Sequence, residues 1–139
     1  MIVSYVPTDR VEELLPEVQP LIQMALDHNI GERIWSDVEP YLLNGVYQLF
    51  VCYDEQKIWG AVVTEIVNYP QFKTLLLLLL GGEDPASTDD QLEEVLTKFA
   101  KHEGCSNMQI SGRKGWLRRL AKYGYKESYI TLIKELDHG

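Results

Sequence analysis

The sequence predicts a single α/β domain over residues 1–139, in which a mixed, mostly antiparallel central sheet is flanked by helices. Short runs of β-branched and aromatic residues alternate with stretches whose apolar residues recur every three or four positions. Turns separate the middle runs, which indicates hairpins, whereas helical stretches separate the later runs, which indicates crossovers. The predicted order is β-α-α-β-β-β-α-β-α-β, and the length is typical of one domain.

The N-terminal part predicts one strand followed by two helices. The strand is expected at residues 2–6. An apolar stripe with helical spacing then extends to Leu26. Pro16 and Pro20 interrupt this stripe, and each removes a backbone donor, so we expect two helical pieces or a kinked helix. A second short helix is expected over residues 34–42.

Three strands are predicted in the middle of the chain, at residues 46–53, 58–67 and 72–80. Asp54-Glu55-Gln56 forms a turn between the first two, so these strands should pair antiparallel. The third contains an unbroken run of leucines from Leu75 to Leu80. Because these leucines do not alternate with polar residues, we expect both faces of this strand to be covered, which makes it central.

The second half of the chain predicts two helices and two further strands. An acidic loop at residues 83–90 leads into a helix that ends at Gly104. A short strand is expected at 107–111 and a compact helix at 113–123. Residues 125–136 predict a last strand, because polar residues are interleaved with apolar ones there.

The charge is distributed unevenly along the chain. The net charge is −8, yet one C-terminal stretch contains six positive residues and no acidic one, which leaves −14 on the rest: Arg113, Lys114, Arg118, Arg119, Lys122 and Lys126. An acidic protein repels nucleic acid and anionic membranes, so we expect neither as a partner. The basic stretch could bind the phosphates of a coenzyme or an acidic protein partner. It could equally be a solvated helix face that pairs with acidic neighbours.

The composition favours a protein of a reducing compartment without metal. The N-terminus lacks the basic lead and apolar core of a signal peptide, and no apolar run approaches the about 20 residues that cross a bilayer. We therefore expect a cytoplasmic location. Cys52 and Cys105 do not make a disulfide framework, and neither the cysteines nor the three histidines have metal-ligand spacing.

The order of elements, together with two local motifs, resembles the GNAT superfamily of N-acetyltransferases over nearly the whole chain. One motif is Leu120-Ala121-Lys122-Tyr123-Gly124-Tyr125-Lys126, which looks like the family's helix ending in a Gly-aromatic pair. The other is Gly-Arg-Lys-Gly-Trp from Gly112 to Trp116, which is similar to a small number of phage-encoded members. The resemblance therefore implies a divergent GNAT-like protein, encoded by a phage and located in the host cytoplasm.

The resemblance implies a function as well as a fold: an acyl-CoA-dependent N-acyltransferase that acts on a small or peptide amine, with acetyl-CoA as its cofactor. In the family, the loop after the fourth strand binds the coenzyme's pyrophosphate through backbone N–H groups at the start of the next helix. On this chain the corresponding residues are Leu80, Gly81 and Gly82. Arg113 and Lys114, from the basic stretch, are further candidates for cofactor binding.

This loop departs from the family pattern in its charge. Four acidic residues and no basic one stand at the expected phosphate site: Glu83, Asp84, Asp89 and Asp90. Two like charges 4 Å apart near a surface repel by roughly 4 kcal/mol before screening. The alternative function is therefore a catalytically inactive GNAT-fold module used for interaction or structure, for example in phage particle assembly, with the basic stretch from Arg113 to Lys126 as its contact with a protein partner.

Two catalytic candidates follow from the same comparison. Active members have a Tyr four residues before the Gly-aromatic pair, where this chain has Leu120, so Tyr123 is the candidate proton donor. Glu65 is the only acidic residue inside the strands predicted before residue 125 and is the candidate general base. Tyr123 could instead be a packing aromatic, and Glu65 could point to solvent. Three aromatic residues either line a substrate groove or close the core: Trp35, Tyr41 and Tyr47.

Overall fold

Five strands form one sheet, and their order across the sheet is also their order along the chain. They are β1 (Ile2–Val6), β2 (Tyr47–Tyr53), β3 (Ile58–Asn68), β4 (Lys73–Gly82) and β5 (Asn107–Ile110). The first four pair antiparallel, and β5 pairs parallel with β4. The computed structural model describes residues 1–83, 88–112 and 115–137. The predicted mixed, mostly antiparallel sheet is confirmed.

Helices cover the two faces of this sheet unequally. One face is covered by α1 (Thr8–Leu26) and α2 (Trp35–Leu43), and the other by α3 (Asp89–His102). After β5 the chain forms a short helix, α4 (Gly115–Leu120), and a 3-10 turn over Ala121–Tyr123. Gly124 ends this turn with a φ of +90°, in the left-handed region that glycine adopts without strain. The sheet is therefore the middle of three layers.

The prolines of α1 do not divide it. The helix is continuous from Thr8 to Leu26, with Pro16 and Pro20 inside it, so the expectation of two pieces is wrong. Both prolines are exposed, and water can therefore satisfy the carbonyl groups that their missing N–H groups leave unpaired. Val18 and Ile22, on the opposite side, are almost fully buried against the sheet. Burial of the apolar face thus outweighs the two lost hydrogen bonds.

The leucine run explains why β4 is central. Leu75 and Leu77 join Phe50 and Leu96 in the core beneath α3, whereas Leu79 belongs to the core beneath α1. All five are at most 5% exposed. Each fully buried side chain of this size stabilises the fold by about 1.5–3 kcal/mol. The predicted coverage of both faces is confirmed.

The last predicted strand is absent from the described part of the chain. Residues 125–137 form neither a helix nor a strand, and beyond the half-buried Tyr125 they are exposed. A strand forms only where its N–H and C=O groups meet a neighbouring strand. No described residue pairs with this segment in a ladder. The alternating pattern of this segment predicts that it can form a strand if a neighbouring strand is present. The described residues do not supply that neighbouring strand.

A substitution at Gly81 should be strongly destabilising. A methyl group added there would lie 1.9 Å from the backbone carbonyl oxygen of Leu21 in α1, so the helix would have to move away from the sheet. We expect Gly81→Ala to lower the free energy of unfolding by about 3 kcal/mol, measured by urea denaturation. Gly115→Ala is the matched control, because its added methyl group meets nothing within 4 Å, and its stability should not fall. Equal stability of the two variants would contradict the tight contact between α1 and β4.

Candidate functional site

The ladder between β4 and β5 ends before β4 does, and we call this opening beside β4 the cleft. The two strands are paired from Thr74 and Asn107 to Leu77 and Ile110. Beyond that point β4 continues to Gly82, whereas the chain leaves the sheet at the end of β5. On this side of β4, no described strand continues the sheet beyond Leu77. Among the described residues, no strand therefore pairs with the backbone N–H and C=O groups of β4 on this side beyond Leu77.

A β-bulge in β4 lies at the same level as the opening. Val63 of β3 pairs with Leu79, but its neighbour Thr64 pairs with Leu77, which leaves Leu78 as an extra residue in β4. The bulge shifts the alternation, so that Leu78 and Leu79 both contact the core beneath α1. Bulges bend a strand and increase its twist, and they often lie next to active sites. The bulge thus lies at the level where the ladder between β4 and β5 ends.

A row of partly polar side chains crosses the sheet one position before the cleft. Tyr47, Glu65, Leu76 and Gln109 are register partners on four neighbouring strands. The alternation of side chains puts them on the face of the sheet opposite α3, because their neighbours Leu77 and Ile110 contact the core beneath α3. Glu65 is half-buried. The structure thus gives the candidate base a position beside the cleft.

Two of the three predicted aromatic residues adjoin this row. Tyr47 is 7% exposed, and its ring meets that of Tyr41 edge-on at 5.1 Å. The Nε of Arg33 donates to the Tyr47 hydroxyl oxygen at 3.2 Å. Trp35 packs against the core and donates its indole N–H to Glu39 at 3.2 Å. Tyr47 and Trp35 therefore help to close the core, and Tyr41 is the exposed aromatic side chain nearest the row.

An ion pair connects the start of α3 with α4. The Arg119 guanidinium donates from Nε to Asp89 Oδ2 at 2.6 Å and from Nη2 to Oδ1. The two side chains are only 27% and 12% exposed. The hydrogen bond to Asp89 raises the pKa of Arg119. The same guanidinium lies 4.8 Å from the ring of Trp116, so the cation is held from two sides.

Asp90, the next residue of α3, has two partners on the 3-10 turn. The Tyr123 hydroxyl donates to Asp90 Oδ1, and Lys122 Nζ lies 3.6 Å from the same oxygen. These contacts, with the Tyr123 hydrogen bond first, lower the pKa of Asp90. The same bond raises the pKa of Tyr123, because the carboxylate retains the phenolic proton. Pairing of the basic stretch with acidic neighbours, one of its predicted interpretations, is observed for Arg119 and Lys122.

The two catalytic candidates are not brought together. Glu65 lies on the face of the sheet opposite α3, whereas Tyr123 lies on the 3-10 turn and donates to Asp90 at the start of α3. A phenol whose proton is already bonded to a carboxylate is a weaker acid. The proton-donor role of Tyr123 therefore stays a prediction, and it requires that the bond to Asp90 first break.

The predicted cofactor residues line a small apolar cavity beneath the start of α3. Its volume is about 30 Å³, and its walls include Leu80, Gly81, Gly82, Cys52 and Arg119. Burial raises the pKa of the Cys52 thiol, so this cysteine stays protonated. A cavity of this volume has room for one or two water molecules and is too small for a nucleotide. Arg113 and Lys114, the other two predicted cofactor residues, lie outside the described residues.

The chain nevertheless offers the donors that a phosphopantetheine coenzyme needs. The edge of β4 beyond Leu77, with which no strand pairs in the described parts of the chain, can bond the amide groups of a pantetheine arm as it would bond an added strand. Arg119 and Lys122 can bond phosphate oxygens once they leave Asp89 and Asp90. These donors therefore fit a phosphopantetheine coenzyme. The carboxylates of Asp89 and Asp90 are unfavourable, because they repel its phosphates and already bind the two cations.

Sequence reasoning missed three features of this site: the bulge at Leu78, the specific pair of Arg119 with Asp89, and Gln109 in the row with Glu65. Consecutive leucines conceal a change in alternation, because either face suits a leucine. The only sequence signal for the pair of Arg119 with Asp89 is the excess of positive charge in the basic stretch of an otherwise acidic chain. The row depends on strand register, which the sequence does not specify.

Two further features of the described residues bear on the function classes. Within ranges 1–83, 88–112 and 115–137, no helix is both long and apolar enough to cross a membrane. In that same part of the chain, no three His, Cys, Asp or Glu side chains come close enough together to hold a metal ion.

The chain shares its fold with solved acetyltransferases. A probable acetyltransferase is similar over 100% of this chain and 99% of its own, with 10% identity and a TM-score of 0.72. A predicted acetyltransferase of Clostridium acetobutylicum, solved with acetyl-CoA, covers 99% of this chain and 98% of its own at 14% identity and a TM-score of 0.67. A ribosomal-protein-alanine N-acetyltransferase of Brucella melitensis biovar Abortus covers 98% of this chain and 100% of its own at 10% identity and a TM-score of 0.68.

No protein-family model matches the chain, and no curated protein sequence matches it significantly. At identities of 10–14% the structural similarity establishes the fold alone. The GNAT-like fold expected from the sequence is confirmed.

Proposed function

We propose that the protein is an acyl-CoA-dependent N-acyltransferase that acts on an amine of a small molecule or peptide. The observation that carries the proposal is the coincidence of the β4 bulge at Leu78 with the parting of β4 and β5 after Leu77 and Ile110. This coincidence leaves part of a central strand without a neighbouring strand among the described residues, and folded proteins otherwise pair such backbone groups. A solved structure of similar fold contains acetyl-CoA, and this supports acetyl-CoA as the ligand.

When bound, the coenzyme supplies an activated acyl thioester. The chain's own contribution begins with binding: β4 residues beyond Leu77 offer N–H and C=O groups along the cleft. Arg119 and Lys122 offer cations near the start of α3. Leu80, Gly81 and Gly82 stay the predicted contacts with the coenzyme on β4 itself.

The acceptor amine must be neutral to act as a nucleophile, and we assign removal of its proton to Glu65. Its register partners Tyr47 and Leu76 and its half-buried position keep the carboxylate beside the cleft and partly shielded from water. A carboxylate in this position attracts a protonated amine and accepts its proton. Tyr41, exposed beside Tyr47, would line the acceptor's approach.

Acetyl-CoA should raise the thermal unfolding midpoint of the protein. A ligand that binds only the native state adds about 2.7 kcal/mol at a hundredfold excess over its dissociation constant. ATP is the matched control, because it carries phosphates and adenine but no pantetheine arm, and its effect should be smaller. The measurement is differential scanning fluorimetry over a range of ligand concentrations.

The second candidate is the inactive interaction module, and one observation favours it. Asp89 and Asp90 already hold Arg119, Lys122 and Tyr123 at the start of α3, where a pyrophosphate would bind. Such a module would contact an acidic protein partner through the cations that stay exposed, such as Arg118. Absence of any shift at millimolar acetyl-CoA would decide for this module and against the acyltransferase. A phage origin and a host-cytoplasm location stay predictions.

A further inference from the structure

Arg33 is a partly buried cation in the connection between α1 and α2. Its side chain is 26% exposed, and its Nε donates to the Tyr47 hydroxyl oxygen at 3.2 Å. In the described part of the chain its one ion-pair partner is Glu32, whose Oε1 lies 4.0 Å from Nη1, too far for a hydrogen bond. Arg10 and Arg119, by contrast, each donate directly to a carboxylate. The terminal nitrogens of Arg33 therefore lack an acceptor among the described residues.

The backbone on either side of Arg33 is held by side chains. Asn29 Nδ2 donates to the carbonyl oxygen of Arg33 at 3.4 Å, and Asn29 Oδ1 accepts from the N–H of Gly31 at 2.8 Å. On the other side, the N–H of Ile34 donates to Asp37 Oδ2 at 2.9 Å at the start of α2. Because both flanks are bonded, a ligand of Arg33 has less backbone to order when it binds.

Tyr47 connects this cation to the candidate base. Tyr47 and Glu65 are register partners of β2 and β3, so their Cβ atoms are about 5 Å apart on one face of the sheet. The hydroxyl at the far end of the Tyr47 ring contacts Arg33. Glu65 forms no ion pair within the described ranges, so it does not neutralise Arg33. A carboxylate and a cation thus lie at the two ends of one phenol side chain.

We infer that the acceptor is an amino acid whose carboxylate binds Arg33 while its amine faces Glu65. The inference rests on the proposed acyltransferase function and narrows its acceptor. A guanidinium binds a carboxylate through two parallel N–H groups, and Arg33 has such groups available on its terminal nitrogens. The Tyr47 hydroxyl accepts from Arg33 and keeps its own proton, which it can donate to the same carboxylate. An alkylamine or an internal lysine of a peptide carries no such carboxylate beside its amine.

Acetyl transfer to matched pairs of acceptors tests the inference. Each pair is an amino acid and its amide, such as 4-aminobutyrate and 4-aminobutyramide, and the series varies the number of carbons between the amine and the carboxylate. For at least one pair, kcat/KM for the acid should exceed that for the amide roughly 10- to 100-fold, the usual contribution of hydrogen bonds to a charged group. The difference should lie mostly in KM, because Arg33 binds a group that does not react. Release of the coenzyme thiol measures the rate.

Arg33→Gln should remove this preference. Its kcat/KM should fall for the acids and stay unchanged for the amides, and unchanged transfer to the amides shows that the variant is folded. Arg33→Lys should keep part of the preference, because it keeps the charge but not the paired N–H groups. Tyr47→Phe keeps the ring and removes only the hydroxyl that contacts Arg33, so it should raise KM for the acids alone. Arg10→Gln is the matched control: Arg10 is an exposed arginine on α1, and its loss should leave the full preference.

Three results would contradict the inference, and they are distinguishable. Equal kcat/KM for every acid and its amide in the wild type overturns the inference and leaves the proposed acyltransferase standing. A preference for acids that survives Arg33→Gln also overturns it, because another residue then binds the carboxylate. Transfer to neither class of acceptor contradicts the proposed function itself, and the inference falls with it.

Discussion

Replacing Glu65 with Gln should lower kcat/KM for acetyl transfer to a primary amine by about 10²- to 10⁴-fold, the usual contribution of a positioned general base. The glutamine side chain keeps the size and register of Glu65 between Tyr47 and Leu76 but cannot accept the proton of the ammonium group. The loss should shrink as the pH rises toward the pKa of the amine, about 10.4 for a lysine-like acceptor, because more of the acceptor is then already neutral. Release of the coenzyme thiol measures the rate across this pH range.

Glu12→Gln is the control for this experiment, since Glu12 is an exposed carboxylate on α1 and its loss should leave kcat/KM unchanged. The dissociation constant of acetyl-CoA should be the same in both variants, because Glu65 is assigned to the acceptor and not to the coenzyme. A Glu65→Gln enzyme within twofold of the wild type at neutral pH removes Glu65 from the mechanism. A large loss that stays constant with pH assigns it a structural role instead.

The order of elements could be predicted because it depends on local patterns. The leucine run from Leu75 to Leu80 predicts a strand covered on both faces, and the structure has β4 in that position. The continuity of α1 was not predictable in the same way. The expected break at a proline follows from the local backbone alone. The burial of Val18 and Ile22, which keeps the helix continuous, depends instead on a sheet that forms from distant residues.

The segment after Gly124 illustrates the other limit. Alternation over residues 125–136 indicates a tendency to form a strand, but the structure has no strand there. A strand needs a partner, and no described residue pairs with this segment. The site has the same limit. Glu65 could be singled out as an acidic residue in a strand, but its neighbour Gln109 follows only from the register of β3, β4 and β5. Charge excess at Arg113–Lys126 predicted pairing without identifying Asp89 as the partner.

Removing the two carboxylates at the start of α3, with Asp89→Asn and Asp90→Asn together, should tighten acetyl-CoA binding by at least roughly tenfold. Like charges 4 Å apart near a surface repel by roughly 4 kcal/mol. Salt weakens this repulsion over a screening length of about 8 Å. We expect about 1.4 kcal/mol of the repulsion to remain, which corresponds to a tenfold change in the dissociation constant. The substitutions also release Arg119 and Lys122 from Asp89 and Asp90, so both cations become available to phosphate. Isothermal titration calorimetry measures the dissociation constant.

The same double variant should be less stable in the absence of ligand. The pair of Asp89 with Arg119 is mostly shielded from solvent, and losing its two charged hydrogen bonds should cost about 1–3 kcal/mol of unfolding free energy. Carboxylates that compete with phosphate should therefore have two effects when they are removed. The thermal unfolding midpoint without coenzyme should fall, and the rise of that midpoint on adding acetyl-CoA should become larger. Arg119→Met separates the two effects, because it loses the same ion pair and should lose affinity as well. Glu94→Gln, an exposed carboxylate further along α3, should change neither quantity. If the double variant binds acetyl-CoA more weakly than the wild type, the carboxylates assist binding and the electrostatic argument fails.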